Sequence, residues 1–456
     1  MSLTFLLLLC TQMAPVEFTD HPSDWQLYPR DAQNLAEVEI SGSVHETGWQ
    51  QILVVGERDD TIYSTQIQNL SYSGGDADFS FQFTIRAELH AYAFKVVLMQ
   101  GTQTELVASA SNVVAGDVYL IEGQSNAVAW DAYGEGLANY QQSPWVRSFG
   151  SASARTWESS HDLRWYQADG ETALTSGSIG AWGLRMGRLL VDRTGIPVVI
   201  INGAVGATAI KWHLRDDDDP GNIHTMYGRL LTRARNAGVA DSVRAIIWHQ
   251  GESDSWYAIN YAWKFQQLYR DWLKDYPSVE QVYMFQVRSG CAKVSIGLRE
   301  VQRRLQDYLP LLQVMSTTAA PSHDGCHFHY AGYHEFGNRI ARLIGRDLYG
   351  STDTHSIDAP NIKSVRYANA AQDALLLTFR DPDDELIIDV GAVDDFELED
   401  GVIALTGTVI GNRILLTLSG PTQSETLAYV GHKLDGPWIT NDRGIGALTF
   451  KVPIQP

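Results

Sequence analysis

The residues best suited to covalent chemistry in this sequence are a serine, an acid and a histidine in two distant stretches. Ser125 lies in the tetrapeptide 123–126, and Asp324 and His327 are three residues apart in the segment 323–328. A histidine can take the serine proton while a carboxylate holds its other N–H group, which fixes the tautomer and stabilises the imidazolium. Taken alone, the tetrapeptide favours a simple helix N-cap serine. The second stretch reverses that interpretation and predicts a nucleophile, a base and an orienting acid.

Two further stretches could supply hydrogen-bond donors to an oxyanion. Asn202-Gly203-Ala204-Val205-Gly206-Ala207-Thr208 is rich in glycine, which lets backbone N–H groups approach a ligand closely. Taken alone, this stretch is equally compatible with an ordinary left-handed turn.

The other donor stretch is Trp248-His249-Gln250-Gly251-Glu252-Ser253-Asp254. A side-chain amide such as that of Gln250 can donate to an oxyanion, and one such donor is worth roughly 10²–10³ in rate. Glu252 is interpreted as support for the residues that touch the substrate. His249, beside a tryptophan, is interpreted as a core histidine with its hydrogen bonds satisfied.

Histidines are concentrated near the second catalytic stretch, with four of them between positions 323 and 334. A metal site is one interpretation of such a cluster. The spacing matches no known set of metal ligands, and Ser125 offers the cluster a different partner. The sequence therefore predicts neither a metal nor an organic cofactor.

The elements that would position these residues alternate between short apolar strands and amphipathic helices. This alternation predicts a parallel sheet covered on both faces, with its active site beyond the carboxyl ends of the strands. The predicted strands are 117–122, 146–149, 197–201, 244–248 and 281–285, and the predicted helices lie near 180–193, 223–237, 256–275, 295–309 and 331–348.

The sequence on either side of this region has the alternating pattern of β-strands. The predicted organisation is a possible signal remnant at 1–13, a β-sandwich domain at 14–113, an α/β domain at 114–352 and a second β domain at 353–456. The role of the N-terminal β domain is open between packing and carbohydrate binding, with packing favoured.

Charge and composition limit the class of partner. With 34 basic and 54 acidic residues the formal net charge is −20, which argues against nucleic acid and anionic membrane surfaces. No stretch approaches the length of a membrane span. The apolar run from Leu3 to Cys10 favours export to the periplasm, cell surface or medium, by a cleaved signal or by lipidation of Cys10. The oligomeric state is not predicted.

Ser125 in Gly-Gln-Ser-Asn, Gln250 in Trp-His-Gln-Gly-Glu-Ser-Asp, and Asp324 and His327 in Asp-Gly-Cys-His-Phe-His-Tyr together resemble the SGNH-hydrolase superfamily. More narrowly, they resemble its carbohydrate esterase branch of sialate O-acetylesterases and acetylxylan esterases. The resemblance covers roughly residues 116–349. It implies a three-layer α/β/α domain, flanked here by sandwich-like β domains.

Carried onto this sequence, the resemblance implies Ser125 as nucleophile, His327 as general base and Asp324 as its orienting partner. The oxyanion hole would consist of the backbone N–H groups of Ser125 and Gly206 and the amide of Gln250. Ala207 departs from the family pattern, in which a second glycine is frequent, so Gly203 remains an alternative to Gly206.

The predicted function is that of a serine esterase which removes O-acetyl groups from a carbohydrate through an acyl-enzyme. One alternative is an acetylxylan esterase or a general short-chain or aryl esterase. An alternative of another class is an inactive carbohydrate-binding protein. The complete set of site residues argues against this last alternative.

Two of the three cysteines, Cys291 and Cys326, are predicted to lie at the same rim of the sheet. Cys291 follows the fifth strand, and Cys326 lies between Asp324 and His327. In an exported protein these cysteines could form a disulfide that holds the Asp324–His327 turn. Two unpaired buried thiols are the alternative.

Overall fold

The computed structural model describes residues 15–153, 155–254, 258–291, 295–383 and 385–456. The chain is a mixed α/β protein with several sheets. One compact unit ends at Gly116 and the other extends from Asp117 to Pro456. The predicted signal remnant, with Cys10, lies outside the described residues, and the predicted domain boundaries stay predictions.

The first unit is built from strands. β1, β3 and β6 form one antiparallel sheet, and β4 pairs with β5 and β7. Alternate residues of β6 are buried, as expected for a strand with one face on a core. The strands are β1 (Val16–Asp20), β2 (Leu27–Pro29), β3 (Leu35–Val44), β4 (Gln51–Arg58), β5 (Thr61–Asn69), β6 (Ala77–Arg86), β7 (Tyr92–Gln100) and β8 (Gln103–Gly123), whose last residues belong to the second unit.

The second unit contains a sheet in the order β10-β9-β11-β8-β12-β13-β14. All neighbours pair in parallel except β10 and β9 at one edge. The five predicted strands are confirmed, whereas β10, with three residues, and β14, whose apolar run is interrupted by Gln313, were not predicted. The strands are β9 (Val146–Phe149), β10 (Trp165–Gln167), β11 (Val198–Asn202), β12 (Val243–His249), β13 (Gln281–Gln286) and β14 (Leu312–Ser316).

Seven α-helices accompany this sheet in the described residues, and five of them match the predicted helices. Their boundaries follow ordinary capping: Thr225 and Ser295 accept backbone hydrogen bonds at N-caps, and Gly195 and Gly350 end their helices in the left-handed conformation. The helices are α1 (Ser125–Val128), α2 (Thr156–His161), α3 (Ala181–Thr194), α4 (Met226–Asn236), α5 (Ala258–Asp275), α6 (Ile296–Leu305) and α7 (Tyr330–Tyr349).

Short 3₁₀ helices occur in several loops of the second unit, at Ala138–Gln141, Ile210–His213, Ala240–Ser242, Glu252–Asp254 and Ala392–Asp395. None of the helices in the described ranges has both the length and the apolar character needed to cross a membrane.

The end of the chain is again made of strands. A seven-stranded sheet has the order β18-β21-β23-β15-β16-β20-β19, and β17 pairs with β22. The predicted strands 374–379 and 412–418 are confirmed, and the one predicted at 447–452 begins three residues later. The strands are β15 (Ile362–Tyr367), β16 (Ala374–Phe379), β17 (Leu386–Ile388), β18 (Phe396–Leu398), β19 (Ala404–Ile410), β20 (Arg413–Leu418), β21 (Thr426–Tyr429), β22 (Ile439–Asn441) and β23 (Phe450–Gln455).

Candidate active site

Ser125 is presented by a tight turn at the carboxyl end of the central strand β8. The turn depends on Gly123, whose φ is 139° and where a Cβ would lie only 2.2 Å from the carbonyl oxygen of His249. The N–H of Gln124 donates to that same carbonyl at 3.0 Å. Ser125 is then the first residue of α1. The predicted strand-to-helix turn is therefore present, and glycine is required in it.

The structure brings Ser125, His327 and Asp324 together. His327 Nε2 lies 3.0 Å from Ser125 Oγ, and His327 Nδ1 lies 3.4 Å from Asp324 Oδ2. The side chains of His327 and Asp324 are 40% and 39% exposed, so a dissolved substrate can reach them. This geometry allows the serine hydroxyl to donate to the imidazole, with the carboxylate beside the second ring nitrogen.

Asp324 is held in an environment that favours its charged form. Oδ1 accepts the N–H groups of Cys326 and His327, each at 2.7 Å. The hydroxyl of Tyr133 donates to Oδ2, also at 2.7 Å. Burial opposes ionisation, but these hydrogen bonds outweigh it and lower the pKa of Asp324 well below its usual value. Sequence reasoning missed Tyr133, because nothing in its loop indicates that it reaches a residue 191 positions away.

Gly206 lies beside the candidate nucleophile, whereas Gly203 does not. A Cβ at Gly206 would lie 3.8 Å from the Cβ of Ser125. Gly203 packs on Leu230, and its N–H already donates to the carbonyl of Ile121 at 2.8 Å. Of the two glycines, Gly206 is therefore the one that lies beside Ser125, and its role in an oxyanion hole stays a prediction. Ala207, which departs from the family pattern, has φ 59°, a conformation that favours glycine.

Gln250 is fully buried, and its amide is engaged within the protein. Nε2 lies 2.6 Å from Asp254 Oδ2, 3.0 Å from the carbonyl of Thr208 and 3.2 Å from Gln124 Oε1. In the described residues, its hydrogen bonds include none to Ser125. To donate to an oxyanion, this amide would have to give up one of its present acceptors. Its predicted role stays a prediction.

Glu252 supports the site through Asn126, the residue that follows the candidate nucleophile. Asn126 Nδ2 donates to Glu252 Oε1 at 2.8 Å and to the carbonyl of Cys326 at 3.1 Å, which links α1 to the loop of the candidate base. Burial raises the pKa of Glu252. The hydrogen bond from Asn126 is thus the contact through which Glu252 could support the site, as predicted.

His249 is a core residue, but its hydrogen-bonding groups are not satisfied. It is completely buried and stacks on Phe285 with the ring centroids 4.6 Å apart. Neither ring nitrogen has a hydrogen-bond partner among the described residues. Burial, reinforced by the charge of His327, lowers the pKa of His249 to about 3, so the ring is neutral at physiological pH.

A disulfide joins Cys291 to Cys326, with their Cα atoms 4.2 Å apart. The same loop is held by His323, whose ring nitrogens lie 2.9 Å from the guanidinium of Arg288 and 3.2 Å from Asp435 Oδ1. These contacts tie the 323–327 turn to the loop after β13 and to the C-terminal part of the chain.

The clustered histidines point to different partners rather than to one centre. His327 contacts Ser125, His323 contacts Arg288, and the ring of His329 lies 3.9 Å from that of Tyr133. Across the described part of the chain, no three histidine, cysteine or acidic side chains are grouped as a metal ion would require.

His213 belongs to a second hydrogen-bonded chain of side chains, which is buried beneath the glycine-rich loop 202–208. His213 Nδ1 is 3.0 Å from Glu122 Oε1, and His213 Nε2 is 2.8 Å from Thr208 Oγ1. The Thr208 hydroxyl donates to the carbonyl of Val205 at 2.6 Å. Sequence reasoning missed this chain, because Glu122 lies 91 positions before His213 and its members form no recognised motif.

Comparison with known proteins identifies one family. The sequence profile described as carbohydrate esterase, sialic acid-specific acetylesterase, matches residues 115–345. No curated protein is similar enough to count as a match.

Among solved structures, a carbohydrate acetylesterase from Xanthomonas citri is similar in fold. It has a TM-score of 0.66 and 18% sequence identity, and the match covers 96% of this chain and 99% of that one. A protein from Arabidopsis thaliana matches with a TM-score of 0.39 and 19% identity, over 50% of this chain and 97% of that one.

Proposed function

The chain belongs to the carbohydrate esterase family of sialic acid-specific acetylesterases, and we propose that it is a serine esterase that removes O-acetyl groups from a carbohydrate. The observation that carries this proposal is the 3.0 Å contact between Ser125 Oγ and His327 Nε2, in a position open to solvent.

In the proposed reaction, Ser125 Oγ attacks the acetyl carbonyl as His327 takes the hydroxyl proton. The tetrahedral intermediate collapses, His327 returns the proton to the sugar oxygen, and the deacetylated sugar leaves an acetyl-serine. Water then attacks this ester with His327 again as base, which releases acetate and restores the serine. Asp324 stabilises the imidazolium in both steps.

The proposed oxyanion hole contains the backbone N–H groups of Ser125 and Gly206. Its support is the position of Gly206 beside Ser125 and the commitment of the Gly203 N–H elsewhere. Gln250 is the third proposed donor, as its position after β12 suggests. Donors aimed at the charge that develops in the transition state act on kcat more than on substrate binding.

The proposal extends to the architecture and to the location of the protein. Parallel pairing of β8, β11, β12, β13 and β14, with helices between the strands, supports a three-layer α/β/α domain between two sandwich-like β domains. The apolar run that ends at Cys10 supports export.

The test is acetate release from 4-nitrophenyl acetate by the wild-type protein and by Ser125→Ala, with and without EDTA. We expect activity in the wild type that survives EDTA and is lost in the variant. Comparable activity in the two proteins would refute the nucleophile. Loss with EDTA that added zinc restores would favour a metal mechanism, and complete inactivity of the wild type would favour the carbohydrate-binding alternative.

A further inference from the structure

One oxygen of the candidate orienting acid is shared between two side-chain donors. Asp324 Oδ2 accepts the hydroxyl of Tyr133 at 2.7 Å, whereas His327 Nδ1 lies 3.4 Å from the same oxygen. The first distance is that of a strong hydrogen bond to a charged acceptor. The second lies beyond the usual range of about 2.7–3.2 Å. Tyr133 is therefore the closer partner of Oδ2, and His327 has the weaker contact.

The other oxygen of Asp324 fixes the carboxylate without help from Tyr133. Oδ1 accepts the backbone N–H groups of Cys326 and His327, each at 2.7 Å. These two bonds tie the carboxylate to the backbone of its own loop, so it stays in place when the tyrosine hydroxyl is removed. Oδ2 would then be available to His327 alone.

Tyr133 is itself held in position by its loop and by a neighbouring ring. Asp131 accepts the N–H of Glu135 at 2.9 Å, and the carboxylate of Glu135 accepts the N–H of Tyr330, at the start of α7, at 2.6 Å. The ring of Tyr133 lies against that of His329, with the centroids 3.9 Å apart. The position of the hydroxyl on Asp324 is thus part of the fold.

Tyr133 acts only as a donor to Asp324. A charged carboxylate has no hydrogen to give. Burial, the hydrogen bond to Asp324 and the negative charges of Asp324 and Glu135 raise the pKa of Tyr133 to about 12. The phenol therefore keeps its proton throughout the pH range in which a histidine base titrates.

Other ionisable groups act on Asp324 and His327 from neighbouring elements. Among the described residues, these groups are His249 and Glu252 beside His327, and Arg288, His323 and Tyr333 beside Asp324. Replacing Tyr133 by phenylalanine changes none of them. A change in the titration of the base in that variant would therefore report the lost hydroxyl.

We propose that Tyr133 is a positioning residue which, by occupying Oδ2 of Asp324, weakens the pull of that carboxylate on His327 and keeps the base ready to accept a proton at lower pH. The inference rests on the proposed esterase function. A carboxylate that shares its charge with a phenol hydrogen attracts an imidazolium less strongly than a free carboxylate does. With the hydroxyl in place, His327 can take the proton of Ser125 in more acid solution.

The experiment measures kcat/KM for 4-nitrophenyl acetate between about pH 4.5 and 9. The proteins are wild type, Tyr133→Phe, Asp324→Asn, the double variant and the control Tyr166→Phe. Tyr166 donates its hydroxyl to Asp162 at 2.6 Å, so the control removes the same kind of bond from a carboxylate outside the candidate triad. Tyr133→Leu, which also lacks the hydroxyl, replaces Tyr133→Phe if that variant does not fold.

In Tyr133→Phe, we expect the acid limb of the kcat/KM profile to move by about 0.5–1 pH unit towards higher pH, because the carboxylate loses one charge-assisted hydrogen bond. Tyr166→Phe should leave the limb where it is in the wild type. In the Asp324→Asn background, Tyr133→Phe should cause no further shift, because an amide has no charge for the hydroxyl to offset.

An acid limb that does not move in Tyr133→Phe would overturn the inference, whatever happens to the plateau, because a structural role would lower the plateau alone. A shift towards lower pH would overturn it too, as would an equal shift in the Asp324→Asn background. These outcomes leave the esterase proposal standing, since the wild type still hydrolyses the ester. A wild type without activity would refute the proposed function, and this inference with it.

Discussion

Two chains of carboxylate, histidine and hydroxyl occur in the second unit, and they differ in their access to water. In the first, Asp324 and His327 are 39% and 40% exposed and lead to Ser125. In the second, Glu122 and His213 are completely buried and lead to Thr208. The buried chain is the tighter one, with contacts of 3.0 and 2.8 Å against 3.4 and 3.0 Å.

The direction of the hydroxyl proton also separates the two chains. The Thr208 hydroxyl gives its hydrogen to the carbonyl of Val205, so it can only accept from His213 Nε2. Such a hydroxyl cannot be activated by that histidine. Ser125 Oγ has His327 Nε2 at 3.0 Å and is free to donate to it. The same three groups therefore anchor a loop in one place and can form a nucleophile in the other.

The largest expected effect is loss of turnover when the exposed chain is cut. Ser125→Ala and His327→Ala should each lower kcat by at least about 10³-fold and to a similar extent, because residues that act as a unit are not additive. Asp324→Asn should retain more activity than either. The exposed His224, changed to alanine, is the control and should keep wild-type kcat. More than about a tenth of wild-type activity in Ser125→Ala would refute the assignment.

This difference between the chains shows what the sequence can and cannot predict. Asp324 and His327 lie three residues apart in a recognisable motif, so their partnership with Ser125 could be predicted from residue types alone. Glu122 and His213 meet only because β8 and the loop after β11 converge, which no local pattern encodes. Tyr133 was missed for the same reason.

Other differences between expectation and structure have equally local causes. Buried strands of the central sheet were predictable because each is a short continuous apolar run between turn residues. β10 was missed because it has only three residues, and β14 because Gln313 interrupts its apolar run. The burial of both nitrogens of His249 without a partner depends on Phe285 and Phe336 on other elements.

Between the two chains lies Gln250, which contacts the carbonyl of Thr208 and is proposed to serve Ser125. Gln250→Ala should lower kcat about 10²-fold with little change in KM, because an oxyanion donor acts mainly in the transition state. Gln302→Ala is a matched control, since Gln302 is equally buried and donates to the backbone of Gln250. An effect on KM alone would instead assign Gln250 to ground-state binding of the substrate. An equal fall of kcat in both variants would show that Gln250 only supports the structure of the site.

The pH dependence of kcat/KM should reflect the protonation of one group in the exposed chain, the histidine base. The hydrogen bonds to Asp324 overcome its burial and lower its pKa, so the carboxylate contributes to stability above about pH 4 and loses this contribution only at lower pH. On the acid side, log kcat/KM should therefore fall with a limiting slope of one, from the histidine base alone. The measurement is a pH–rate profile with 4-nitrophenyl acetate. A slope of two above pH 4 would show that a carboxyl group titrates as well.

A disulfide fixes the loop that carries Asp324 and His327 of the exposed chain, whereas the buried chain is surrounded by the packed core. The bridge from Cys291 to Cys326 closes on the turn between Asp324 and His327. Reduction with dithiothreitol should lower kcat/KM about tenfold, because small displacements of catalytic groups are costly. The Cys291→Ser/Cys326→Ser double variant should show the lower value with and without reductant. Two free thiols beyond Cys10 in the denatured, unreduced protein would contradict the bridge.

The smallest expected effect on turnover comes from cutting the buried chain. Thr208→Val keeps the shape of the side chain but leaves the carbonyl of Val205 and the Nε2 of His213 without their hydroxyl partner. Unpaired buried groups should lower the free energy of unfolding by about 1–3 kcal/mol, measured by urea denaturation. Turnover should stay within about threefold of wild type, because the carbonyl of Thr208 can still accept from Gln250.

The control for this variant is Thr426→Val, which removes a hydroxyl that donates to Glu399 at the surface. Its effect on unfolding should stay within about 0.5 kcal/mol, because water replaces the lost partner. If Thr208→Val instead lowered kcat as much as His327→Ala does, the buried chain would belong to the catalytic machinery. Burial would then not be what separates the two histidines. A loss of stability without a loss of turnover would establish that the buried histidine serves the fold and the exposed one the chemistry.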